Sequence, residues 1–80
     1  MARIPLQSSV LAATEYFPEL QALDLVFTSG QIYRYVKIPM SLYQDLLAAH
    51  SKGTFFNDHI RNRFSFQYLG NSGAPSTDAN

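Results

Sequence analysis

Apolar and polar side chains alternate through Leu23-Asp24-Leu25-Val26-Phe27 and again through Gln31-Ile32-Tyr33-Arg34-Tyr35-Val36, with Thr28-Ser29-Gly30 between the two runs. A period of two, rich in β-branched and aromatic residues and broken by Ser and Gly, predicts two half-buried strands joined in a hairpin. The register decides which face each side chain takes, because a slip of one residue reverses them all. A two-residue Ser29-Gly30 turn sets Leu25 opposite Arg34 and Asp24 opposite Tyr35. A three-residue loop, with Gly30 as a left-handed bulge residue, sets Leu23 opposite Tyr35, Leu25 opposite Tyr33, Asp24 opposite Arg34 and Val26 opposite Ile32. The second register pairs like with like and opposes unlike charges, each pair contributing roughly 0.2–1 kcal/mol. It is the expected one. Leu23, Leu25, Phe27, Tyr33 and Tyr35 then face the core. Asp24, Val26, Thr28, Ile32, Arg34 and Val36 form an outer face apolar enough to predict partial cover.

Before the hairpin, Arg3 to Ser9 with Pro5 suits an edge strand or irregular lead-in. Val10 to Phe17 reads as a strand, and Pro18-Glu19-Leu20-Gln21 as the turn into the hairpin. These pieces make a three-stranded antiparallel meander. After it, Pro39 stands at the mouth of a helix whose stripe is Leu42, Tyr43, Leu46 and Leu47. Ser41 and Gln44 have capping-box spacing, so that helix starts at Met40 or Leu42 and runs to His50. Ser51 is a plausible N-cap for a second helix from Lys52 to about Arg63, with Phe55, Phe56 and Ile60 on its apolar side. Gly53 in its first turn predicts a close approach by a neighbour or a ligand. Phe64-Ser65-Phe66-Gln67-Tyr68 alternates again and reads as a short C-terminal strand or a packed extended arm. The fold class is α+β: a meander, two helices packed on one face, then that strand or arm. One domain is expected over residues 1–69, with a disordered tail over 70–80, where no large apolar residue occurs.

Composition changes this picture little. Eighty residues with 46% hydrophobic content are near the lower limit for a self-sufficient core. There is no cysteine, so neither a disulfide framework nor a cysteine-based zinc site is available. No apolar run approaches the roughly 20 residues of a membrane span, and the start of the chain lacks a signal-peptide core. A soluble, cytoplasmic domain is the expectation. Net charge is zero but unevenly placed. Arg34, Lys37, Lys52, Arg61 and Arg63 outnumber Asp45 and Asp58 in residues 31–69, so a local basic surface can exist there.

Several residues in order carry a family resemblance: Ser8-Ser9 before a strand, the Gly30-x-Ile32-Tyr33-Arg34-Tyr35 hairpin, Ile38-Pro39, Ser51-Lys52-Gly53, then Phe55-Phe56-Asn57 and Ile60-Arg61. From about Arg3 to Tyr68 the chain resembles the KTSC domain, named for its occurrence at the C-terminus of some lysyl-tRNA synthetases and also found as a small stand-alone bacterial protein. It departs at Glu15, where the family tends to have a small residue, and at Phe17, where it tends to have Asp. The resemblance implies no established activity. It implies RNA binding as a proposal, carried onto Lys52, Gly53, Asn57 and Arg61.

The residues alone frame the same sites more blandly. Tyr33 and Tyr35 form either a stacking platform for unpaired bases or, as the bulged register predicts, part of the core. Lys52, Arg61 and Arg63 either hold phosphate about the second helix or are solvated charges, the two arginines complementing its C-terminal dipole. His50 and His59 lie on different predicted helices, so no metal site or general base is expected, and no cofactor. Ser8 and Ser9 read as a lead-in bonding its own backbone. Asp24 and Arg34 read as a surface cross-strand pair. The expected function is a non-catalytic binding module, with RNA the leading ligand by resemblance. The alternative is a protein-interaction or self-association module, using the Val26/Ile32/Val36 face or the aromatic arm.

Overall fold

A computed structural model describes residues 2–71. The strands are β1 (Ile4–Pro5), β2 (Leu11–Phe17), β3 (Ala22–Phe27), β4 (Gln31–Tyr35) and β5 (Phe66–Asn71); helices α1 (Met40–Ala48) and α2 (Lys52–His59) lie between β4 and β5. All strands pair antiparallel in one sheet of order β1-β2-β3-β4-β5. The sheet is therefore larger than the expected meander. The lead-in and the aromatic arm are both strands of it, and β5 runs two residues past the expected domain end at Leu69. The tail expected from residue 70 falls, from residue 72 onward, outside the described residues.

The central hairpin adopts the bulged register. Leu23 pairs with Tyr35, Asp24 with Arg34, Leu25 with Tyr33 and Val26 with Ile32. The Gly30 N–H donates to the Phe27 carbonyl at 2.8 Å, and Gly30 has φ +99°, a region open to glycine and strained for other residues. Leu23 and Leu25 are fully buried, Tyr35 is buried, and Phe27 and Tyr33 are half-buried.

On this face the sheet meets side chains from both helices. The Tyr43 ring of α1 stacks on Tyr16 of β2 at 4.8 Å between centroids. Phe56 of α2 meets Phe27 and Tyr35 edge-on at 5.4 and 5.6 Å. Leu46 and Ile60 complete the buried cluster with Leu11 and Ile38. Aromatic pairs of this kind contribute about 0.5–1.5 kcal/mol beyond the area they bury. The β4–α1 link is tied to β2 and to the β2–β3 turn: the Tyr16 hydroxyl donates to the Ile38 carbonyl at 2.6 Å, and the Ile38 N–H donates to the Gln21 carbonyl.

Both helices start where expected, at Met40 and Lys52, but α1's capping and both C-terminal ends differ from the sequence expectation. Pro39 is the N-cap of α1 and makes no side-chain cap bond, so the Ser41–Gln44 box does not form; the Pro39 carbonyl takes the Leu42 and Tyr43 N–H groups instead. His50 lies beyond α1, which ends at Ala48. Ser51 does cap α2, its hydroxyl accepting from the Thr54 N–H at 3.3 Å. That helix stops at His59 rather than near Arg63. The Ile60 and Arg61 N–H groups both turn back to the Phe56 carbonyl, and Asn62 takes φ +65°. Asn tolerates that left-handed conformation better than most residues, and one such residue ends a helix that hydrophobic spacing alone would extend.

The outer face carries a charge row. Glu15 stands opposite Asp24, Asp24 opposite Arg34, and Arg34 opposite Gln67. Arg34 grips Asp24 with two hydrogen bonds of 2.7 and 3.0 Å and lies over the Phe17 ring at 4.8 Å. Arg3 reaches Glu15 at 4.0 Å. The Asp24–Arg34 pair is not a surface pair: Asp24 is only 3% exposed. Its neighbours on β2 and β4 shield it, and the hydrogen bond to Asp24 raises the Arg34 pKa above its ordinary value.

Candidate functional site

A cleft of about 640 Å³ opens where the lead-in to β2 faces the start of α2. One wall is Gln7–Val10. The other runs from His50 through Ser51, Lys52, Gly53 and Thr54 to Asn57 and Arg61, with Phe27 and Phe56 between the two. The lead-in is held in place by the hairpin turn, because the Thr28 N–H donates to the Val10 carbonyl at 2.9 Å and the Thr28 hydroxyl to the Ser9 carbonyl at 3.0 Å. Ser8 turns its hydroxyl onto the Val10 and Leu11 N–H groups, the local backbone bonding expected of it.

Gly53 is what lets these walls meet. A Cβ there would lie 3.1 Å from Val10 Cγ2, so the close approach it serves is to a neighbour in the chain. Lys52 is half-buried and donates from Nζ to the Ala49 carbonyl at 2.7 Å, which places its charge where α1 ends and α2 begins. Arg61 is exposed just past the α2 C-terminus and gives one N–H to Asn57 Oδ1 at 3.2 Å. Of a guanidinium's five donors that contact occupies one.

Four of the five sequence-predicted residues, Lys52, Gly53, Asn57 and Arg61, thus line one cleft. Arg63 does not. It follows the left-handed Asn62, and its Nε donates to the Asp58 carbonyl at 2.9 Å, outside the lining residues. The cleft wall also includes Gln7, Ser8, Ser9 and His50, which sequence reasoning left out of the site. No carboxylate is among the lining residues, so Lys52 and Arg61 make it locally cationic in a chain of zero net charge.

A second cleft of about 340 Å³ adjoins it, lined by Gln31, Tyr33, Tyr35, Asn62 and Phe66, and sharing Phe27, Phe56 and Arg61 with the first. Tyr33 is at its aromatic end, 5.4 Å from Phe66 and 5.2 Å from Tyr68 between centroids. Burial raises the Tyr35 pKa, Tyr33 adds to that shift, and the nearby Arg61 charge opposes it. His59 lies against Phe55 and is not among the residues lining the main cleft with His50. Among the described residues no three His, Cys, Asp or Glu side chains are grouped to hold a metal ion. No helix there is long and apolar enough to cross a membrane.

Fold and site together define a small α+β domain: one antiparallel sheet, two helices, and a carboxylate-free cleft beside the first turn of the second helix. Residues 7–64 match the KTSC domain, and the chain belongs to that family. It is 43% identical over 60 residues to a protein of Tsukamurella paurometabola, spanning 75% of this chain and 90% of that one. It is 47% identical over 57 residues to an uncharacterized protein of Stutzerimonas stutzeri, spanning 71% and 80% of the two chains. A lysine–tRNA ligase of Nostoc sp. is 38% identical over 63 residues, which are 79% of this chain but 11% of the ligase. The crystal structure of a KTSC domain protein from Yersinia pestis superposes with a TM-score of 0.84 at 30% identity, covering 86% of this chain and 97% of that one.

Proposed function

We propose that this KTSC domain is a non-catalytic module that binds single-stranded RNA through the phosphate backbone at the Lys52–Arg61 cleft. The observation that carries the reading is the absence of any carboxylate from the lining of that cleft, while two of the three cations predicted for it, Lys52 and Arg61, line it. Local positive charge with no negative counterpart is what an anionic backbone needs, and net charge does not decide it. The adjoining aromatic cleft shares Arg61 and supplies ring faces, the second element of single-strand binders. Relatedness to a stretch of lysine–tRNA ligases is consistent with an RNA ligand.

The test is fluorescence anisotropy with a labelled, mixed-sequence single-stranded RNA at two salt concentrations. Two neutralised phosphates imply a slope near −1.4 in log K against log salt, a roughly sevenfold loss between about 50 and 200 mM. Lys52→Gln with Arg61→Gln flattens that slope. Negligible or equal binding by wild type and double variant removes the proposal.

A further inference from the structure

Among the described residues β5 is an edge strand, protected only by a bulge at Leu69, where the pairing shifts between Tyr33–Tyr68 and Ile32–Gly70. It carries no charged residue and no proline, yet Phe66 is 58% exposed and Tyr68 52%. Pairing with β4 thus leaves about half of each residue in water. The hydrogen-bond parity of the edge follows from one contact. The Val36 N–H donates to the Ser65 carbonyl, and Val36 opposite Ser65 continues the register of Tyr35 with Phe66, Arg34 with Gln67 and Tyr33 with Tyr68. In an antiparallel ladder bonded and non-bonded pairs alternate. Gln67 therefore bonds toward β4, while the backbone N–H and C=O groups of Phe66 and Tyr68 point out of the sheet. Their side chains share the helix-bearing face with Tyr33 and Tyr35.

We infer that β5 is a self-association edge whose occupant is the β5 strand of a second copy of this chain, paired antiparallel about a two-fold axis at Gln67. The spacing is self-complementary. Phe66 bonds with Tyr68 of the second copy, Tyr68 with its Phe66, and Gln67 faces itself as a non-bonded pair. Each Phe66 ring then lies beside a Tyr68 ring across the seam, on the same face as both helix layers. The two-fold brings Gln67 against its own copy, so a charge at that position would meet its like; β5 carries no charge there or elsewhere. A chain of zero net charge adds no long-range repulsion against this association. The inference is independent of the RNA proposal.

Gln67→Glu is the discriminating variant. Within one chain the new carboxylate faces Arg34, an attractive cross-strand pair; across the two-fold it faces its own copy. Sedimentation equilibrium should show wild type dimerising with rising concentration. Gln67→Glu should weaken the dimer about two- to fivefold at low salt, and added salt should restore it. Tyr68→Pro removes an outward N–H without breaking the bond from Gln67 to β4, and should weaken association by about tenfold or more. Amide exchange gives a second readout on wild type: the Phe66 and Tyr68 N–H groups become protected only at concentrations where the dimer forms. A wild type that stays monomeric up to millimolar concentration overturns the inference. So does a dimer indifferent to both substitutions, or one whose Phe66 and Tyr68 amides exchange as in the monomer.

Discussion

Arg34→Met should destabilise the domain far more than Asp24→Asn, although the two residues form one ion pair. The reason is unequal exposure. The Asp24 side chain is 5% exposed and that of Arg34 31%, with two hydrogen bonds between them. Removing Arg34 leaves a buried carboxylate with no cation on it and Glu15 directly opposite. Breaking a buried pair in that direction costs about 3–5 kcal/mol, against a total of roughly 4–12 kcal/mol for a chain of this length. Asp24→Asn leaves a guanidinium that still reaches water, the Phe17 ring and the field of Glu15, and a neutral amide that still accepts from it; about 1 kcal/mol is expected. With a urea slope near 1 kcal/mol/M, the midpoint falls by about 3–5 M for Arg34→Met and about 1 M for Asp24→Asn. The double variant Asp24→Leu/Arg34→Met should recover much of the loss, because no buried charge is left unpaired. Equal midpoints for the two single variants, or a loss below about 1 kcal/mol for Arg34→Met, would refute this account of the outer face.

Gly30→Ala should cost about 1–2 kcal/mol, read as a lower midpoint in thermal denaturation, because φ +99° is strained for any side chain and the new Cβ would lie 2.5 Å from Asn71 Oδ1. Tyr16→Phe should cost about 1–3 kcal/mol in urea titration, since it strips the buried Ile38 carbonyl of a 2.6 Å donor while keeping the stack on Tyr43. Burial raises the pKa of Tyr35 and of Tyr43 above the ordinary value of 10.0. The folded state therefore holds protons that the unfolded state releases, so this contribution is complete below about pH 10 and is lost as pH rises through the raised values. Parallel titrations of tyrosinate absorbance and circular dichroism should show unfolding shifted to higher pH in Tyr35→Phe.

The hairpin was legible because Asp24 and Arg34, a bulge glycine and three apolar pairs all favour one register, and a local pattern suffices when its parts agree. The departures at Glu15 and Phe17 are answered by Arg3 and Arg34, which approach them in space and not in sequence. β1 was harder to see: two residues carry no periodicity, and only pairing with Ala13 and Thr14 makes Ile4 and Pro5 a strand. The end of α2 rests on one left-handed backbone at Asn62, which apolar spacing does not register. That single turn separates Arg61, in the cleft, from Arg63, outside it. Ser8 bonds its own backbone as expected, yet Ser8 and Ser9 also form part of a wall of the site. Their role there depends on Thr28 holding the lead-in against the hairpin, a contact 19 residues away.

The most direct test of RNA binding at the cleft is a chemical-shift map of the isotopically labelled domain titrated with single-stranded RNA. The account predicts salt-sensitive shifts concentrated at Ser8, Ser9, Ser51–Asn57 and Arg61, with Arg63 and the Asp24–Arg34 face quiet. Saturating RNA that moves no amide, or moves chiefly those of the outer face, contradicts it.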